Sequence, residues 1–130
     1  MFNKLCNKLS KLIPMCWISV SNSPEETSYC IDAGQDMYID ICSRVAYTGT
    51  NTIYARYEIF INDELVVCAQ RPISLIDTPS VKNVSRETAE AEKIEQLMRM
   101  CSRKILKQET ISQRNHMLKN LFAQKSEHIH

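Results

Sequence analysis

Glycine is scarce in this sequence, 2 residues in 130, so a glycine-rich loop that cradles phosphate has no material to form from. No GxSxG, HExxH, GxGxxG or P-loop pattern occurs, which removes the common signatures of hydrolases, zinc proteases and nucleotide-binding enzymes. The histidines are His116, His128 and His130, all near the C-terminus. A cysteine nucleophile needs a positioned base, and no histidine lies in the segments that read as strands. The six cysteines contain no CxxC pair, which withdraws zinc-ribbon and thioredoxin readings. His128 and His130 lack nearby Cys or carboxylate partners in sequence, so no metal site is expected, and no cofactor. No apolar run approaches the ~20 residues of a membrane-spanning helix. The formal net charge is +1, too balanced for a generally basic nucleic-acid binder.

What is present fits one small domain. The length is that of a single domain, and the 44% hydrophobic content separates it from disordered chains. Charge is uneven: Lys4, Lys8 and Lys11 precede the first acidic residue, Glu25, and the stretch after Arg103 is basic on balance. The scattered cysteines read as reduced thiols in a core, with a disulfide open to an exported chain.

Residues 1–20 form a basic amphipathic segment. Phe2, Leu5, Leu9, Leu12 and Ile13 recur at helical spacing with lysines between them. Three readings stay open: a surface helix packed on its own domain, a degenerate export signal with small residues at Ser19 and Ser21, and a helix lying on a membrane surface. Residues 21–35 read as a linker of turn formers and charges. Residues 36–125 are expected to hold the folded domain, and 126–130 a tail.

Within that domain, residues 37–46 and 52–61 alternate as strands, with Ile39, Ile41 and Val45 on one face of the first. Thr48-Gly49-Thr50-Asn51 reads as the turn between them. Asn62-Asp63 suits a tight hairpin, since both residue types tolerate positive φ. That turn predicts Ile61 opposite Glu64, Ile59 opposite Val66 and Tyr57 opposite Cys68. Tyr57, Ile59, Val66 and Cys68 then share the core face, while Arg56 and Glu58 meet water. Pro72 ends the strand, bulges it or marks an edge; Ile73 and its successors can resume it, and Asp77-Thr78-Pro79-Ser80 turns toward a helix.

Ser85 suits an N-cap. Glu87, Glu90 and Glu92 come early and Arg99, Arg103, Lys104 and Lys107 late, complementing the helix dipole. Glu95 and Arg99 make an i,i+4 pair. Ala91, Ile94, Leu97, Met98, Cys101 and Ile105 form one apolar stripe. The glutamates read as a solvated face. Met117, Leu118, Leu121 and Phe122 either continue this helix or form a separate amphipathic segment that can bind a partner. The expected fold class is therefore α+β: a small antiparallel, hairpin-based sheet packed against a long C-terminal amphipathic helix.

The run Val84-Ser85-Arg86-Glu87-Thr88-Ala89-Glu90-Ala91-Glu92-Lys93, followed by Ile94, Leu97 and Arg103-Lys104-Ile105, resembles the C-terminal half of the LPS-assembly lipoproteins. The hairpin over residues 54–70 is similar in length and position. The resemblance spans residues 52–107. It implies a non-catalytic envelope protein on the periplasmic face of the outer membrane. Such a protein assembles and plugs a β-barrel translocon and contacts lipopolysaccharide. Arg71 and Lys82 are then candidates for lipid phosphate by charge-assisted hydrogen bonds, and Cys16 for acylation. The alternative is a cytoplasmic interaction module that docks a protein partner through its C-terminal helix.

Overall fold

The computed structural model describes residues 1–47, 52–73 and 86–127, with side chains described to residue 123. It has the expected α+β architecture. Helix α1 (Phe2–Leu12) passes through a short 3-10 turn (Ile13–Met15) into five strands: β1 (Trp17–Asn22), β2 (Glu26–Gly34), β3 (Met37–Tyr47), β4 (Ile53–Ile61) and β5 (Glu64–Pro72). Helix α2 (Arg86–Glu127) follows. The sheet is an antiparallel meander in the order β1-β2-β3-β4-β5, so consecutive strands are neighbours and no crossover is needed.

Turn chemistry explains the hairpins. Asn62 and Asp63 have φ of 48° and 66°, the paired left-handed conformation of a type I′ turn. The Asn62 side-chain oxygen accepts from the Tyr38 amide at 2.9 Å, tying this turn to β3. Gln35 and Asp36 make the same turn between β2 and β3, with Gly34 at φ 80° beside them. Between β1 and β2, the Ser23 hydroxyl accepts from the Glu26 amide at 3.1 Å.

The linker expected over residues 21–35 is corrected. Most of it is β2, hydrogen-bonded on both sides; Ser21 and Asn22 end β1, and only residues 23–25 and Gln35 turn. The strand hides its period because Ile31 alone on it is fully buried, and its other positions carry Ser, Thr, Asp and half-buried Cys and Tyr.

Within residues 1–20, Phe2–Leu12 is a helix packed on its own domain and Trp17–Val20 belongs to β1. Cys6, Leu9 and Ile13 are buried in the main core, with Phe2, Leu5 and Leu12 packed around them. The apolar face of α1 is therefore spent on its own domain. Helix α1 runs parallel to α2. Lys93 Nζ donates to Asn3 Oδ1 at 2.5 Å and Lys104 Nζ to the Pro14 carbonyl at 2.8 Å, so both contacts hold one register.

One face of the sheet carries the core. Ile18, Ile31, Ile39, Ile41, Tyr57, Ile59 and Ala69 pack against Ala91, Ile94, Leu97, Met98 and Cys101 of α2, the stripe expected for that helix. The segment holding Met117 and Phe122 continues α2. Val45, expected inward, is exposed near the end of β3. The turns expected at Thr48-Gly49-Thr50-Asn51 and Asp77-Thr78-Pro79-Ser80 and the Ser85 cap lie outside the described residues. Strand pairing runs through edge residue Pro72 to Ile73, whose amide bonds the Ile53 carbonyl at 2.8 Å.

The register of the β4–β5 hairpin differs from expectation. Ile61 does face Glu64, but a bulge next to Ile59 shifts the rest: Ile59 faces Val67, Glu58 faces Cys68 and Tyr57 faces Ala69. A β-bulge inserts one residue and moves every later side chain to the other face. Ala69 thereby enters the core at 0% exposure, whereas Val66 is left 45% exposed and Cys68 turns outward. Asp at Val66 is accordingly expected to shift stability by no more than about 0.5 kcal/mol, whereas Asp at Ala69 buries a charge and unfolds much of the population. Urea titration of both variants checks the register.

Candidate functional site

Each sequence-nominated residue has a specific placement. Arg71 points to the helix side of β5, where its Nε lies 2.5 Å from Glu95 Oε1, although off the hydrogen-bond direction. The Tyr57 hydroxyl donates to the same carboxylate oxygen, and Arg99 approaches the other oxygen at 3.7 Å. Burial first, and then the bond to Glu95, push the Tyr57 hydroxyl pKa up, with Arg71 opposing. Arg71 thus pairs with Glu95 in an ion cluster beside α2, with its own side chain 39% exposed. Glu95 is correspondingly no member of a solvated face, its side chain being 15% exposed. Lys82 lies outside the described residues. Cys16 is half-buried where the 3-10 turn meets β1 and packs against the core. The structure brings Arg71 together with Tyr57 and Glu95, a grouping that no local spacing encodes.

The opposite sheet face holds a second cluster. Glu58, expected in water, is buried among its neighbours, with Arg44 Nε at 3.1 Å and Arg56 Nε at 3.6 Å. Across the same row, the Ser28 hydroxyl and the Cys42 thiol lie 3.3 Å apart. Arg44 reaches Glu58 from the neighbouring strand and Arg56 from two residues along its own, so opposite charges neutralise one another here.

All six cysteines are free. Desolvation raises the thiol pKa of Cys6, Cys42 and, most of all, Cys101, which is pushed up to about 12. Cys30 is pushed up to about 11 by burial and by Asp40 beside it. A nucleophilic thiol needs the opposite environment, cationic and partly exposed. Among the described residues no group of His, Cys, Asp and Glu is arranged to hold a metal ion, and no helix is long and apolar enough to cross a membrane.

The most distinctive surface is the far end of α2. Among the described side chains of that helix, the last buried one is Gln108. Its side-chain amide grips edge strand β1 in both directions: Oε1 accepts from the Ile18 amide at 2.8 Å, and Nε2 donates to the Ile18 carbonyl at 2.7 Å. The glutamine behaves as a short peptide unit added to the sheet edge, which satisfies groups an edge otherwise leaves open. Beyond it every residue over 109–123 is exposed. That span includes Ile111, Met117, Leu118, Leu121 and Phe122, the last 67% exposed. Residues 109–127 extend about 28 Å at 1.5 Å per residue. Sequence reasoning noted the apolar group near Met117 but missed Gln108, because a lone Gln on a charged helix carries no pattern.

No protein-family model, curated protein or solved structure matches this chain.

Two outcomes follow from these placements. Gln108→Ala strands both backbone groups of Ile18 and is expected to cost about 1–3 kcal/mol, read by thermal or urea unfolding. Because the Cys101 thiol holds its proton above its ordinary value of 9.0, the folded state binds more protons than the unfolded one at higher pH. Stability must then fall as pH rises from 9 toward about 12. Cys101→Ala is expected to begin about 1 kcal/mol lower and to show a flatter decline over that window in pH-dependent melting.

Proposed function

We propose that this chain is a non-catalytic docking module that holds a protein partner on the projecting part of α2. The observation that carries this reading is the complete exposure of residues 109–123 while they carry five large apolar side chains. Contiguous exposed apolar surface marks an interaction site. The helix is long enough to carry these exposed residues past Gln108, so a partner reaches them without disturbing the core.

The placement of the other nominated residues favours docking over the envelope-lipoprotein alternative. Acylation of Cys16 as a first residue removes the segment that supplies Leu9 and Ile13, both 1% exposed. Losing two such side chains costs several kcal/mol by the usual large-to-small scale, about 2–5 each. Arg71, the described candidate for lipid phosphate, already neutralises Glu95.

The test uses the full chain as bait in cells that make it. A partner captured by the native protein is expected to be lost with the double variant Leu118→Asp, Phe122→Asp. That variant should melt within about 0.5 kcal/mol of the parent, as for surface positions generally. Undiminished capture rejects residues 109–123 as the contact.

A further inference from the structure

The projecting helix carries a second pattern, and α1 reveals its purpose. On α2, Lys93, Leu97, Met100 and Lys104 follow one another at alternating four- and three-residue steps, the period of a helix–helix seam. Helix α1 lies along this part of the seam, bonded at Lys93 through Asn3 and at Lys104 through Pro14. Pro14 then ends α1, and the chain leaves α2 for β1. Among the described residues the seam continues without α1 or any other element on it through Lys107, Ile111, Arg114, Leu118 and Leu121, at the same steps. Where α1 stops, a groove opens between Ile13, Pro14, Met100, Arg103 and Lys107, and a second depression follows beside Thr110 and Ile111.

We infer that this vacant half-seam takes an acidic amphipathic helix of another protein, laid along α2 in line with α1. The inference rests on the docking reading and adds the chemistry of the partner. Its basis is charge. Over residues 103–123 there are five Lys or Arg and one Glu, a balance of +4 (5 − 1). Lys107 and Arg114 stand within the apolar seam itself, alternating with Ile111 and Leu118. A partner with Leu or Ile along its seam, and Asp or Glu at heptad spacing, satisfies both sets at once.

The same two cations select against other occupants. A second copy paired in parallel sets Lys107 against Lys107 and Arg114 against Arg114. An antiparallel pair centred on residues 109–123 sets Arg114 across from Leu118, which leaves the cation against an apolar side chain with no opposite charge. Like charges on a seam are destabilising. A membrane-surface helix keeps its cations on the polar face, whereas Lys107 and Arg114 divide the apolar one.

The test uses two synthetic helical peptides with Leu at the seam, one carrying Glu and the other Lys at the intervening seam positions. Fluorescence anisotropy reads their binding to the full-length protein. The Glu peptide is expected to bind at least about tenfold more tightly than the Lys peptide, since opposed charge sets the choice of partner. The double variant Lys107→Glu, Arg114→Glu should reverse that order, and Leu118→Asp should weaken the Glu peptide. Circular dichroism confirms that each variant is folded. Equal binding of both peptides overturns the acidic partner and leaves the docking reading standing. Binding of neither, with no dimer in sedimentation velocity and no association with phosphatidylserine-rich vesicles, overturns both. Concentration-dependent dimerisation through residues 109–123, or vesicle binding lost in Leu118→Asp, also overturns the acidic-helix partner and assigns the surface to that occupant.

Discussion

The amide clamp of Gln108 on Ile18 divides this molecule into a packed part and a presented part. Upstream of it, α2 gives one side chain per turn to a core shared with all five strands. Downstream, the helix has no sheet beneath it. The clamp works because a glutamine side chain offers one acceptor and one donor at the spacing of a peptide unit. An exposed edge strand therefore ends against a helix in place of open backbone. Fixing that point on β1 also fixes the direction in which the remaining turns project.

The two helices and the sheet reinforce one another through a single register. Asn3 with Lys93 and Pro14 with Lys104 are separated by the same 90 residues, and so are Ile18 and Gln108. Helix α1 and its exit into β1 thus run alongside α2 without slippage. Buried charge is handled similarly on both faces of the sheet. Glu95 is shared by Tyr57, Arg71 and Arg99, and Glu58 by Arg44 and Arg56. Each carboxylate lies close to two cations, which lowers the penalty of removing it from water. Arg71, which looks from sequence like a free cation near a loop, is thereby the counter-ion of Glu95.

Much of the architecture was legible in local pattern. The Asn62-Asp63 hairpin, the alternation in β3 and β4 and the stripe Ala91, Ile94, Leu97, Met98, Cys101 are periodic signals, and they form the elements they suggest. β2 escaped because a strand between two others can be built with little apolar residue when partners on both sides satisfy its backbone. The bulge beside Ile59 escaped because Leu65, Val66 and Val67 are three apolar residues in a row, and alternation cannot choose which of them is the extra one. The exposed surface was half visible: Met117, Leu118, Leu121 and Phe122 stand out as a group, but the common spacing of Leu118 and Leu121 with Lys107, Ile111 and Arg114 means little until α1 is seen on the preceding turns.

By itself the sequence determined the class of fold, the two-residue turns and the inward stripe of the long helix, because backbone preferences and hydrophobic period act between residues close in the chain. Tertiary structure alone decided that α1 belongs to the core, that Arg71 serves Glu95, that Val67 and Ala69 face inward, and that α2 outruns its sheet after Gln108. Those outcomes depend on which surfaces meet across long separations. Competition for burial and for charge partners settles them, and no local pattern records the result.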